Sequence, residues 1–173
     1  MYKLIITSIV FLLLGRESVS TSQKSQTYKV IAIADGDTFS VLQNKTVVRI
    51  RVEGIDAPEK GMPYYKVSKQ YLAKLCFNKN VKIKVVKFDR YGRTVARAVL
   101  PNGKDVSAEM IKAGLAWHYK KYSSDKLLST FEIQARKNKY GLWKDQNPIA
   151  PWEIRKLRRK GISTKERFKN RVE

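Results

Sequence analysis

Cysteine, histidine and acid are all scarce in this chain. A single cysteine, Cys76, excludes an intramolecular disulfide and any cysteine-rich zinc site. A single histidine, His118, leaves no room for histidine clusters, and a packing or surface role suits it better than that of a general base. Asp and Glu number 15 against 36 Lys and Arg, a formal net charge of +21. Such an excess points to a polyanionic partner: nucleic acid, an anionic membrane surface or an acidic polysaccharide. Long hydrophobic runs are missing too. The longest, Leu4 to Leu14, has 11 residues, where a bilayer span needs about 20. No internal repeat is present.

Apolar residues make up 43% of the 173, enough for the core of one domain of ordinary size, so this is not a disordered basic tail. Residues 1–20 join a basic start, the short apolar run and small residues at Ser18 and Ser20, the pattern of a secretory signal. The expected organisation is a signal peptide over 1–20, a flexible leader over 21–27, a folded domain over 28–152 and a basic tail over 153–173. The tail is expected to be extended or frayed from Arg155. Export, a monomeric state and no stable membrane association after cleavage are the corresponding expectations.

Val48 to Glu59 organises the domain. Val48, Ile50 and Val52 alternate with Arg49, Arg51 and Glu53, the period of a strand with one face in a core. Gly54 and Pro58 then break it and leave Asp56 and Glu59 on a turn. Before it, strands are predicted over 28–34 and 38–42, joined by the turn Asp35-Gly36-Asp37. After it come a helix over 65–77, strands over 81–88 and 94–100, a helix over 106–113 and a third helix from Ser124 or Asp125 to Tyr140. Val67, Tyr71 and Leu75, with Leu72 and Cys76, carry the helical period of the first helix. Five strands with helices after the third and fifth predict an α+β fold: a five-stranded OB-type barrel with three helices. Cys76, Trp117 and Trp143 are expected in the core.

Three polar clusters lie at strand ends: Asp35-Gly36-Asp37-Thr38, then Arg51 with Asp56 and Glu59, then Asp89-Arg90-Tyr91-Gly92-Arg93. Singly each is an ordinary turn. Together they supply what phosphodiester hydrolysis needs. Asp37 and Asp56 are hard oxygen ligands for Ca²⁺ or Mg²⁺. Glu59 can accept or orient the proton of a water. Arg51 and Arg93 can clamp a phosphate. Tyr91, Tyr119 and Tyr122 can stack on bases.

These motifs, in this order and at these separations, resemble the staphylococcal nuclease (thermonuclease) family from about Tyr28 to Trp152. Gly114-Leu115-Ala116-Trp117 and Gly141-Leu142-Trp143 add to the likeness. The resemblance implies a Ca²⁺-dependent endonuclease acting on DNA and RNA and leaving 3′-phosphate ends. It implies catalytic roles for Arg51, Glu59 and Arg93, and calcium held by Asp37, Asp56 and the Ala57 backbone carbonyl, with Asp35 close by. Substrate contacts fall on Arg90, Tyr91, Tyr119 and Tyr122. The chain departs from the family in two places. Tyr119 and Tyr122 are three apart where the family has two tyrosines one residue apart, and the loop after Glu59 is shorter, with Lys60, Lys66 and Lys69 as substitutes for its basic residues. The rival readings are an OB barrel that holds single strands without cutting and an envelope protein whose charge serves an anionic surface.

Overall fold

A computed structural model describes residues 26–163 and Phe168. The signal segment, most of the leader and the end of the tail lie outside the described residues. Five strands close a barrel: β1 (Gln26–Asp35), β2 (Thr38–Gln43), β3 (Thr46–Val52), β5 (Asn80–Phe88) and β6 (Thr94–Val99), in the order β1-β2-β3-β6-β5. The expected five-stranded barrel is therefore present. β1, β2 and β3 form the antiparallel meander, while β3 and β6 run parallel. Alternation decides which faces are inside. Ile50 and Val52 of β3 and Val81 and Ile83 of β5 are buried, while the alternating Arg49, Lys82 and Lys84 are exposed and Arg51 is half-buried.

Among the described residues four α-helices accompany the barrel where three were expected: α1 (Tyr65–Cys76), α2 (Val106–Lys112), α3 (Lys126–Lys137) and α4 (Pro151–Arg159). On α1 the buried stripe is Ser68, Leu72 and Cys76, one turn apart each time; Tyr71 and Leu75 pack beside it and Val67 faces out. Asp105 caps α2 through the Ala108 N–H, and Asp125 caps α3 through the N–H groups of Leu127 and Leu128. Two further strands, β4 (Ile55–Asp56) and β7 (Trp117–His118), pair with each other and tie the turn after β3 to the segment before α3. At two residues each they carry no period a sequence could show.

The main core fills the barrel and the bases of α1 and α2, around Phe39, Ile50, Leu72, Met110 and Ile111. A second cluster joins Trp117, Ala135, Leu142 and Trp143, with the Trp117 and Trp143 rings edge-on at 5.3 Å. Ala150 and Trp152 pack against it, which seats α4 on the domain. Pro151 at the first turn and the buried Ile154 anchor that helix. Burying an isoleucine contributes about 2 kcal/mol, so the segment from Arg155 to Arg159 is helical and docked, where an extended or frayed tail was expected. Among the described residues no helix is long and apolar enough to cross a membrane.

Candidate active site

Strand register brings the first two clusters together. Thr38 of β2 stands opposite Arg51 of β3, so the turn before Thr38 delivers Asp37 to the end of β3 where Arg51 emerges. Gly36 lets that turn pack close. A Cβ there would meet Ser68 Oγ of α1 at 1.9 Å and the Ala57 Cβ at 2.8 Å. With hydrogen in its place, Asp37 Oδ2 accepts the Ala57 N–H at 2.8 Å, and Oδ1 accepts from Thr38 Oγ1 at 3.0 Å. At the other end of the loop Gly54 takes φ +76, a left-handed turn suited to glycine, and the chain doubles back into β4. β4 pairs Asp56 with Trp117 and leaves it 2% exposed.

The result is a cleft of about 310 Å³ lined by Asp35, Asp37, Arg51, Asp56, Ala57 and Glu59, with Arg93 on its wall. Arg51 Nη2 bridges the two aspartates, 3.1 Å from Asp37 Oδ2 and 3.0 Å from Asp56 Oδ1, while Nη1 donates to the Val52 carbonyl. Parallel pairing of β6 with β3 sets Arg93, just before Thr94, against the same end of the barrel. Asp89 holds Arg93 side-on, accepting from Nε and pairing with Nη2, both at 2.7 Å. Two of five guanidinium N–H groups are thus used, and the rest remain for a ligand. Burial alone would push Asp89 up, but hydrogen bonds from Arg93 and the Tyr91 N–H bring it below its ordinary range.

Burial pushes Asp56 up against the opposing pull of Arg155 and Arg51. Burial, then the neighbouring Asp37 charge, pushes Asp35 up to about 6. Burial disfavours the charged form of both carboxyls, and a further cation beside them would favour it. Hard oxygens fit calcium or magnesium. Among the described residues no group of three or more His, Cys, Asp or Glu side chains has metal-holding spacing. A metal would therefore rest on Asp37 and Asp56, with backbone oxygen such as that of Ala57 and water completing the shell.

The expected substrate contacts border the cleft rather than line it, with the Arg93 guanidinium 5.6 Å from the Tyr91 ring. Tyr91 is 68% exposed on the β5–β6 turn, where Arg90 donates to its hydroxyl. Tyr122 lines a separate cleft with Glu53, Arg97 and Ser123. Tyr119 is half-buried, stacked on Trp152 at 5.2 Å. None of the four lines the acidic cleft; Tyr65 and Lys60 do. His118 is buried between Ser123 and Ser129, one on each ring nitrogen, away from the cleft.

Two residues were missed. Arg155 of α4 donates to Asp56 Oδ2 at 2.6 Å and to Glu59 Oε1 at 2.7 Å, and Arg158 donates to Glu59 Oε2 at 2.9 Å. Burial works against the Arg155 charge, and the hydrogen bonds and charges of Asp56 and Glu59 more than reverse this, so its pKa is raised. Read as part of a solvated basic tail, neither arginine stood out from its neighbours.

The chain is similar to known proteins over most of its folded part. A family model described as staphylococcal nuclease homologue matches residues 49–145. A protein of Escherichia coli O157:H7 named "Uncharacterized endonuclease" is 39% identical over 124 residues, covering 72% of this chain and 81% of its own length. A "Micrococcal nuclease" of Shigella flexneri is 37% identical over 138 residues, 74% of this chain and 79% of that protein. The "Staphylococcal-like nuclease CAN1" of Arabidopsis thaliana is 41% identical over 151 residues, 85% of this chain but 46% of the plant protein.

Proposed function

The chain belongs to the staphylococcal nuclease family, a family of phosphodiester-cleaving enzymes, and from that premise we propose that it is a calcium-dependent endonuclease that cuts DNA and RNA alike and leaves 3′-phosphate ends. The observation that carries the reading is the meeting of three sequence-distant turns in one cleft, with Arg51 bridging Asp37 and Asp56 and with Glu59 and Arg93 on the same walls.

In this reading Arg51 and Arg93 bind the equatorial oxygens of the scissile phosphate and stabilise the charge that grows there. Glu59 accepts or orients the proton of the attacking water. Its two oxygens each accept one arginine hydrogen bond, and a carboxylate has about four acceptor positions, so capacity for a water remains. The bond to the 5′-oxygen breaks in line with the attack. Asp37, Asp56 and the Ala57 carbonyl would hold calcium, which when bound supplies Lewis-acid polarisation of the phosphoryl oxygen. Asp35 adds negative charge beside them. The exposed Tyr91, Arg90 and Tyr122 meet the strand outside the cleft, and Tyr119 supports the wall that Arg155 crosses. The enzyme is exported through residues 1–20 and acts as a monomer without a protein partner.

End-group analysis tests this. Single-stranded DNA and RNA incubated with calcium should both yield fragments ending in 3′-phosphate, and chelator should stop the reaction. Fragments ending in 5′-phosphate would contradict the leaving-group assignment. Strand binding with no cutting under any divalent cation would select the non-cutting barrel instead.

A further inference from the structure

Two of the cleft's carboxylates are held from outside its lining, by a residue of an element the chemistry above does not use. Arg155 of α4 spans two carboxylates with one planar group: Nη2 meets Asp56 Oδ2 at 2.6 Å and Nη1 meets Glu59 Oε1 at 2.7 Å. We propose that Arg155 is a positioning residue of the nuclease site, fixing the Glu59 carboxylate relative to Asp56 so that Glu59 faces the phosphate held by Arg51 and Arg93. The proposal rests on the nuclease reading of this cleft.

Three observations carry it. First, Glu59 lies on a loop, and among the described residues its carboxylate is held only by Arg155 and Arg158. Without them its side-chain torsions are unconstrained, whereas a base or water-orienting group must be held near its productive geometry.

Second, Arg155 is not carried on a loose tail. Ile154, its neighbour in the chain, is fully buried, Pro151 is buried, and Trp152 stacks on Tyr119 with the rings 3° from parallel. The guanidinium itself lies 5.9 Å from the Tyr119 ring. The Trp117–Trp143 cluster on which α4 sits also carries β7, and β7 pairs with Asp56. Arg155 and Asp56 therefore share one support.

Third, the charges leave room for metal and substrate together. Of the four carboxylates Asp35, Asp37, Asp56 and Glu59, three pair with Arg51, Arg155 or Arg158, while Arg93 is paired with Asp89 outside the set. Among the described residues Asp56 Oδ2 accepts only from Arg155, which leaves it one further acceptor direction. The metal site does not require the arginine to leave.

The test compares the full chain with R155Q, R155K, E59Q and R155Q/E59Q on single-stranded DNA with calcium, and melts each protein without metal. R155Q should lower kcat about 10- to 100-fold, as loss of an orienting partner does, with KM changed less than about threefold. R155K should recover only part of the loss, since a compact ammonium cannot span both carboxylates. In the E59Q background the R155Q change should cost about twofold or less, because the residue acts through Glu59. Without metal, R155Q should lower Tm in the presence of Glu59 and by less in its absence. Equal losses in both backgrounds would reduce Arg155 to a structural role and overturn the proposal. So would R155Q turning over as fast as wild type with tighter calcium binding, the behaviour of a latch the metal displaces. If wild type and E59Q cut equally, the nuclease reading fails, while the metal-free melting cycle still reports whether Arg155 holds Glu59.

Discussion

Asp37 Oδ2 accepts the Ala57 N–H at 2.8 Å, a bond between residues 20 apart that pins the turn before β2 to the loop after β4. The same oxygen lies 3.1 Å from Arg51 Nη2. One carboxylate therefore closes the loop, offsets the arginine and offers a ligand oxygen. Asp37→Ala should destabilise the protein by about 1–3 kcal/mol, the cost of a buried donor left unpaired. Asp37→Asn keeps an acceptor and should cost less. If Asp37 holds calcium as proposed, calcium should raise the wild-type Tm and raise that of Asp37→Asn much less. Melting curves with calcium and with chelator separate the two effects.

Gly36 is the closest approach in the site. A methyl group there would sit 1.9 Å from Ser68 Oγ and 2.8 Å from the Ala57 Cβ. Gly36→Ala should cost about 1–3 kcal/mol through overpacking. It should also lower activity at temperatures where the variant is still folded, because the push displaces Asp37. Urea unfolding and initial rates on the same preparation check both.

Asp89 keeps Arg93 in place through two contacts at 2.7 Å and accepts the N–H groups of Tyr91 and Arg93 as well. Asp89→Ala should lower kcat about 10-fold or more through Arg93, since a misplaced clamp loses transition-state stabilisation, with a loss of stability of about 1 kcal/mol. Steady-state kinetics and denaturant titration are the measurements.

Burial lowers the His118 pKa from its ordinary 6.5. The unfolded chain takes up a proton that the folded chain resists, so this residue's contribution to stability is whole above 6.5 and is lost as pH falls towards the folded value. His118→Gln should lose the difference. Its Tm deficit relative to wild type should be larger at pH 8 than at pH 5, read by scanning calorimetry without metal.

The barrel was legible because Val48, Ile50 and Val52, or Val81 and Ile83, repeat every second residue, and half-buried strands leave that mark. The acidic cleft was legible because its parts sit at strand ends, where short turns fix direction. That Arg90, Tyr91, Tyr119 and Tyr122 stand outside the acidic cleft was not legible, since spacing does not say which way a turn side chain points. α4 was hidden by composition: only Pro151 and Ile154 are buried in a stretch dense with Arg and Lys. Its signals were a proline at the first turn, Glu153 near the N-terminus and Lys156, Arg158 and Arg159 in the last turn, which complement the helix dipole. β4 and β7 were too short to show a period.

The most direct measurement of the central claim is the initial rate of single-stranded DNA cleavage by wild type and Glu59→Gln at saturating calcium, each repeated with chelator. The account predicts a wild-type rate abolished by chelator and a loss of about 100- to 10,000-fold in the variant, the range for a positioned acid–base group. A variant that cuts at the wild-type rate, or a wild-type rate that survives chelation, would contradict it.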